Sequence, residues 1–266
     1  MPYANNNGVK IYYEVERDGP PLVMAHALGG AGLHMWRRDK YDEALRDNFR
    51  LVLLDFRGHG RSDKPHEASA CDIRVLATDV LKILDDLGIG KTHYWGYSLG
   101  SGVGFWLATH HADRFHSFIL AAMTPYAIAE DTVKQATNIV EGLKLLKVDP
   151  EAYRQQLERR LGRSLTPEET KGLLERDADA IIAMWTAWLN SPSMTDRDLA
   201  SISVPCLVSC GELDEGGFHA AASECVNHIP NARFVSFPGL NHGTAFSRID
   251  LVLPHAKEFL AGVSKT

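Results

Sequence analysis

The sequence has no strong charge excess and no long apolar run. Its 266 residues carry 28 Lys and Arg against 34 Asp and Glu, which gives a formal net charge of −6. This balance argues against a nucleic-acid-binding protein, because such proteins present a basic face. The longest apolar runs, such as FILAAM (Phe118 to Met123), are far too short to cross a bilayer. We therefore expect neither nucleic acid nor a membrane among its partners.

Cysteine is scarce, and its spacing excludes the usual cysteine-based sites. The four cysteines include no CxxC pair, which argues against a redox or zinc motif. Cys206 and Cys210 fall in one apolar run, where a free thiol behaves as a small hydrophobic side chain. The first ten residues, MPYANNNGVK, lack the apolar segment of a secretory signal. A reduced, cytoplasmic location is the simplest expectation.

Short strand-like segments alternate with amphipathic, helix-like ones along most of the chain. Two helices are predicted from apolar residues at spacings of three and four, over Ile73 to Leu87 and Arg248 to Val263. Nearly continuous apolar strands separated by helices indicate an α/β fold with a parallel sheet covered on both faces. The predicted strands are VKIYYEVE (Val9 to Glu16), PLVMAH (Pro21 to His26), RLVLLDF (Arg50 to Phe56), THYWGY (Thr92 to Tyr97), SFILAAM (Ser117 to Met123), VPCLVSC (Val204 to Cys210) and ARFVSF (Ala232 to Phe237).

One segment interrupts this alternation. From about residue 126 to residue 203 the pattern is helical throughout, and KQATNIVEGLKLLK, EAYRQQLERRLG and KGLLERDADAIIAMWTAWL predict three helices. We expect a core of residues 1–125 and 204–266 with a helical cap at 126–203. In an open α/β sheet, ligands bind at the carboxyl ends of the strands, so the cap would cover the site. Met184, Trp185, Trp188 and the strand-end residue Met123 are candidate substrate contacts, with core packing as the alternative.

The stretch WGYSLG (Trp95 to Gly100) is the candidate nucleophile motif. Ser98 lies where a predicted strand gives way to a helix, and a sharp turn there would expose its hydroxyl. Such a turn crowds the positions two before and two after the serine, which are Gly96 and Gly100. The alternative is a nucleotide-binding glycine loop, but the sequence contains neither G-x-G-x-x-G nor G-x-x-x-x-G-K-[ST].

A serine hydroxyl needs a base, an acid that orients the base, and donors for an oxyanion. His242, in PGLNHGTAF, follows the last predicted strand and precedes the last helix. The turn GELDEGG offers Glu212, Asp214 and Glu215, which the residues alone do not separate. The amide of Leu99 at the start of the helix could bind an oxyanion, together with one from the loop of residues 27–30.

The chain resembles the α/β-hydrolase fold superfamily, in its serine esterase and lactonase branch. The resemblance rests on HALGG (His26 to Gly30), DFRGHGRSDKP (Asp55 to Pro65), GYSLG (Gly96 to Gly100), GELD (Gly211 to Asp214) and NHG (Asn241 to Gly243), in the family's order. It departs from the family at Ala27, where the usual residue is glycine. DFRGHGRSDKP, which includes His59, is interpreted as a structural turn.

The resemblance implies an eight-stranded, mostly parallel sheet with a helical cap inserted after the sixth strand. It also implies Ser98 as nucleophile, His242 as base, Asp214 as acid, and the amides of Leu28 and Leu99 as the oxyanion hole. A serine nucleophile argues against the dehalogenase and epoxide-hydrolase branches, which attack through a carboxylate.

The function that follows is hydrolysis of small carboxylic esters or lactones through an acyl-enzyme, with no metal or organic cofactor. Four alternatives use the same three residues. They are a carbon–carbon bond hydrolase, an enol-lactonase, a cofactor-free perhydrolase or haloperoxidase, and a ligand receptor with slow turnover.

Overall fold

The computed structural model describes residues 2–29 and 32–263, without the side chain of Arg160. Within them, a single sheet has the strand order β1-β2-β4-β3-β5-β6-β7-β8. β2 runs antiparallel to both of its neighbours, and all other pairings are parallel. The strands are β1 (Tyr3–Asn6), β2 (Val9–Glu16), β3 (Pro21–Ala25), β4 (Arg50–Leu54), β5 (Thr92–Tyr97), β6 (Phe115–Ala121), β7 (Cys206–Gly211) and β8 (Ala232–Phe237).

Helices connect the parallel strands, as the alternating pattern predicted. In the described part of the chain, short 3-10 turns lie at Ala68–Cys71, Ala112–Arg114 and Glu215–Gly217. The α-helices of the described residues are α1 (His34–Arg38), α2 (Tyr41–Leu45), α3 (Ile73–Asp86), α4 (Leu99–His110), α5 (Glu130–Val148), α6 (Pro150–Leu161), α7 (Pro167–Leu174), α8 (Ala178–Leu189), α9 (Asp196–Ala200), α10 (Phe218–Cys225), α11 (His242–Ser247) and α12 (Ile249–Val263).

Both faces of the sheet are buried, which explains the nearly continuous apolar strands. In β3, Val23 packs with the cluster that includes α3, α4 and α10, while Leu22 and Met24 pack with α1, α2, α11 and α12. Side chains alternate between faces along a strand, so a strand buried on both sides must be apolar at every position. The expected mostly parallel sheet covered by helices is confirmed.

The segment between β6 and β7 is helical, and it contains α5 to α9. The third helix predicted there is two helices, because α7 ends at Leu174 and α8 begins at Ala178. Asp177 causes the break: its side chain accepts a hydrogen bond from the backbone N–H of Ala180 and caps α8. The periodicity was continuous across this point, so it did not predict the separation.

The last helix shows a similar small error. The spacing of apolar residues over Arg248 to Val263 predicts that Leu251 lies on the buried face of this helix, but Leu251 is 39% exposed and Val252 is buried instead. α12 contains Pro254, which cannot donate to the helix ladder. Among the described residues, no helix combines the length and apolar character needed to span a membrane.

Candidate active site

Ser98 lies at the junction of β5 and α4, in a strained backbone conformation. Its φ of 52° and ψ of −114° are rarely adopted by a residue with a side chain. Its N–H donates to the carbonyl oxygen of Ala121 on β6 at 2.9 Å, and its own carbonyl accepts from Ser101 and Gly102 in α4. The surrounding sheet and helix therefore hold the turn that projects the serine hydroxyl.

The glycines on either side of Ser98 have a steric explanation. A Cβ on Gly96 would lie 2.4 Å from the carbonyl carbon of Gly100. A Cβ on Gly100 would lie 2.2 Å from the carbonyl oxygen of Ala25 on β3. Both distances are far below a van der Waals contact, and the opposing atoms are backbone atoms that cannot rotate away. The turn requires glycine at both positions.

His242 and Asp214 form a hydrogen-bonded pair beyond the ends of β8 and β7. Nδ1 of His242 lies 3.0 Å from Oδ1 and 3.1 Å from Oδ2 of Asp214. The carboxylate is almost completely buried, whereas the imidazole side chain is 38% exposed. An ionised carboxylate can only accept, so Nδ1 carries the proton and Nε2 is left as an acceptor. This is the tautomer that a general base requires.

Two neighbouring side chains hold this pair in place. The Tyr97 hydroxyl donates to the backbone carbonyl of His242, and the two rings lie 5.6 Å apart. The Cys210 thiol donates to Oδ2 of Asp214 at 3.4 Å. Burial, with a further contribution from Asp214, raises the pKa of the Cys210 thiol well above its usual range, so the thiol remains a donor.

The other two acidic residues of the GELDEGG turn have different surroundings. Glu212 is exposed, and its Oε2 accepts from the backbone N–H of Gly239 at 2.9 Å. Glu215 is also exposed and lines the cavity described below. Of the three acids, only Asp214 is buried and bonded to a histidine. The structure thus separates candidates that the sequence left equal.

A cavity of about 270 Å³ brings the sequence-predicted residues together. Ser98, Asp214 and His242 line it from the sheet side, and Trp185 and Trp188 line it from α8. Within the described residues, no hydrogen bond joins the Ser98 hydroxyl to His242. Such bonds are often long in unliganded enzymes and shorten when substrate binds. The cavity is therefore the candidate site for a reaction at Ser98.

Two of the predicted substrate contacts lie elsewhere. Met184 lines a neighbouring cavity, where its side chain faces Gly58. Met123 lines a third cavity and packs toward Gly102, where a Cβ would lie 3.6 Å from its Cε. Met184 is next to Trp185 in the sequence, and Met123 lies near the end of β6. Neither position determined which cavity the side chain lines.

Helix α5 contributes a wall that the sequence pattern did not predict. Its residues at the cavity are Thr132, Gln135, Ala136 and Ile139. Successive members of this set are three, one and three positions apart, which places them on one face of a helix. This spacing was a sequence signal for the wall. The signal was missed because Thr and Gln on this face do not stand out as apolar positions.

Two backbone amides near Ser98 are available to a ligand. Among the described residues, neither Leu28 N–H nor Leu99 N–H donates a hydrogen bond, and Leu99 is the first residue of α4. Leu28 also lines the cavity of Ser98. Ala27 is not among the residues with positive φ, so its Cβ is accommodated without strain where the family usually has glycine. Gly30, also in this loop, lies outside the described residues.

Buried histidines support the Leu28 loop. The backbone N–H of Gly29 donates to Nε2 of His59 at 2.9 Å, and Phe56 N–H donates to Nε2 of His26 at the same distance. Burial lowers the pKa of His26 to about 4, and burial together with His26 lowers that of His59 to about 3. Both rings are therefore neutral acceptors at pH 7, in keeping with the interpretation of DFRGHGRSDKP as a structural turn.

The buried histidines predict a loss of stability in acid. Their pKa values in the folded protein lie below the unfolded value of about 6.5. At any pH between the folded and the unfolded pKa, the unfolded chain therefore binds more protons than the folded protein. The contribution of these neutral histidines to the free energy of unfolding is complete above pH 6.5. It falls as pH drops toward 4, by up to about 1.4 kcal/mol per pH unit for each histidine. Thermal unfolding from pH 7 to 4 should show a shallower slope for His59→Gln than for wild type. Exposed His34→Gln is the control, and an equal slope in all three proteins would contradict the prediction.

Comparison with known proteins identifies the architecture. A model of the α/β-hydrolase fold family matches residues 20–248. The chain belongs to the α/β-hydrolase fold family. It is 28% identical to 3-oxoadipate enol-lactonase 1 of Acinetobacter baylyi, over 79% of this chain and 78% of that protein. The enol-lactonase of Burkholderia xenovorans has a TM-score of 0.78 and 26% identity, with 98% of this chain and 100% of that one covered.

A third similarity is shorter. The proposed carbamate hydrolase RutD of Azorhizobium caulinodans is 30% identical over 153 residues, which is 58% of this chain. That match spans only about half of the relative's length, at 55%. These three relatives are named as two enol-lactonases and one carbamate hydrolase, so their names specify different substrates. The expectation of an esterase- or lactonase-like member of this family is confirmed.

Proposed function

We propose that this α/β hydrolase cleaves small carboxylic esters or lactones through an acyl-enzyme on Ser98. The observation that carries the proposal is the shared cavity, which is lined by the strained Ser98 and by the hydrogen-bonded pair of His242 and Asp214. A nucleophile, a base and an acid in one cavity are the parts that acyl transfer requires.

In the proposed reaction, Ser98 Oγ attacks the substrate carbonyl carbon while His242 Nε2 accepts the hydroxyl proton. The carbonyl oxygen becomes an oxyanion, which the backbone amides of Leu28 and Leu99 stabilise. Asp214 stabilises the positive charge that forms on His242. When the carbonyl re-forms, the bond to the leaving oxygen breaks and His242 protonates that oxygen.

Deacylation repeats these steps with water. His242 accepts a proton from a water molecule, whose oxygen attacks the acyl carbon, and then returns the proton to Ser98 Oγ as the acid departs. Every proton transfer is assigned to His242, and the scheme calls on no further protein acid. The chemistry is the same for an ester and for a lactone, except that a lactone's leaving oxygen stays attached to the acyl group.

We further propose that residues 126–203 act as a cap on a core of residues 1–125 and 204–266. The support is that α5 and α8, both from this segment, form the wall opposite Ser98 and His242. A covering wall would also exclude water during attack.

The similarity to two enol-lactonases over most of the chain supports a lactone as one of the proposed substrates.

The proposed function can be tested by turnover combined with labelling. We expect the protein to hydrolyse p-nitrophenyl acetate, p-nitrophenyl butyrate or δ-valerolactone, and a fluorophosphonate to attach to the peptide that contains Ser98. Denatured protein is the labelling control. Absence of both turnover and label would overturn the proposal, and thermal stabilisation by these compounds without turnover would favour a receptor.

A further inference from the structure

A second cavity adjoins the one that contains Ser98. It has a volume of about 670 Å³, compared with about 270 Å³ for the Ser98 cavity. Three residues line both cavities, namely Leu28, Ile139 and Trp185. Ser98, Asp214 and His242 line only the smaller one. The larger cavity therefore has a shared boundary with the candidate active site but none of its reactive groups.

We propose that the larger cavity binds the acyl chain of the substrate, and that Trp185 at the shared boundary determines which acyl chains enter. The proposal rests on the proposed hydrolase function. It assigns a binding subsite and a specificity-determining residue, and it names an extended aliphatic acyl group as the preferred substrate class.

The position of His242 gives the direction in which the substrate lies. The leaving oxygen must stay within reach of His242 Nε2 to be protonated, and His242 does not line the larger cavity. The carbonyl oxygen points at the amides of Leu28 and Leu99, and Leu28 lies on the shared boundary. The substituent on the carbonyl carbon that passes this boundary is consequently the acyl chain, and the alcohol stays on the His242 side.

The walls of the larger cavity define the chemistry of the group it accepts. On the side of the helical segment, Leu143, Leu157 and Ile181 belong to a separate apolar cluster between α5, α6 and α8. The core side is formed by the turn that holds Lys64 and His59, and burial keeps His59 neutral at pH 7. An aliphatic chain that passes Trp185 and lies along Leu143, Leu157 and Ile181 contacts an apolar part of the wall, so each methylene added there removes further apolar surface from water. The lining also includes the charged residues Lys64, Glu175, Arg176 and Asp177.

The wild-type protein first tests whether the acyl chain, and not the alcohol, enters the larger cavity. In a series of p-nitrophenyl esters from acetate to octanoate, only the acyl chain changes, and kcat/KM should rise by up to about fourfold per buried methylene. In a series of alkyl butyrates from ethyl to octyl, only the alcohol changes, and kcat/KM should vary by less than about fivefold. A steep dependence on the alcohol with a flat dependence on the acyl chain would overturn the proposal.

Two variants test the cavity itself through the ratio of octanoate to acetate activity. Ile181→Phe adds volume to the larger cavity and should lower this ratio at least tenfold. Trp185→Ala removes the boundary ring and should raise the relative rate on branched acyl esters, such as 2-ethylhexanoate, at least tenfold. Leu174→Phe, on an exposed residue of α7 that does not line this cavity, should leave both ratios as in wild type. Unchanged ratios in folded Ile181→Phe and Trp185→Ala would contradict the assignment.

The test of the acyl subsite can fail independently of the proposed hydrolase function. If acetate and butyrate are hydrolysed and Ser98 is labelled, but acyl length has no effect, only the acyl subsite fails. If nothing is hydrolysed or labelled, the proposed function fails first. Melting temperatures of the variants show whether each is folded, and the wild-type series decides the direction without any variant.

Discussion

Replacing Ser98 with alanine is expected to lower kcat/KM for p-nitrophenyl butyrate by about 10⁴-fold or more. The change removes the oxygen that forms the acyl-enzyme in the proposed reaction, while the amides of Leu28 and Leu99 and the cavity remain. Alanine has the same difficulty with a φ of 52° as serine, so the strain of the turn is unchanged. The melting temperature should therefore stay within a few degrees of wild type.

Exposed Ser69→Ala, in the 3-10 turn Ala68–Cys71, is the matched control and should retain wild-type activity. Fluorophosphonate labelling should be lost in Ser98→Ala and kept in Ser69→Ala. A folded Ser98→Ala protein with activity within tenfold of wild type would show that Ser98 is not the nucleophile.

Replacing Asp214 with asparagine is expected to cost about 10⁴-fold in kcat. The asparagine side chain carries an NH₂ group that would face the Nδ1 proton of His242, which favours the wrong tautomer and leaves the imidazolium without a counter-charge. The loss should appear in kcat for both ester and lactone, because the carboxylate acts through the charge that develops on His242 during the reaction.

Glu212→Gln is the matched control, since it makes the same chemical change within the same turn. It should retain activity within about tenfold of wild type, because the Glu212 carboxylate accepts from the Gly239 N–H and does not line the cavity. A larger loss in Glu212→Gln than in Asp214→Asn would transfer the role of the acid to Glu212.

The sequence predicted the fold well where apolar patterns and turn residues agree. β2, β5 and β8 have the bounds that the pattern predicted, because each is a continuous run that ends at a clear turn. β1 was not predicted, since Tyr3–Asn6 is short, half polar and defined only by pairing with β2. The break between α7 and α8 was also missed, because the hydrogen bond of a single cap residue decides it.

The site was predictable in its loops but not in its walls. Ser98 and His242 could be found because each follows a strand, and the ends of parallel strands meet at one edge of the sheet. The choice of Asp214 depended on the family resemblance, since its burial and its bond to His242 are tertiary properties. Met184 and Met123 reach other cavities because helix rotation and local packing decide their direction.

The helical segment leaves the sheet after β6 and returns at β7, and these two strands are direct neighbours, with Phe118 opposite Cys206. Its two attachment points therefore sit side by side, and no strand of the sheet depends on it for its place in the order. Exchanging the single segment between β6 and β7 would therefore change the substrate preference without changing the sheet. Such an exchange could occur during evolution or be made with the corresponding segment of another protein. The nucleophile turn, built from β3, β5 and β6, would be inherited intact.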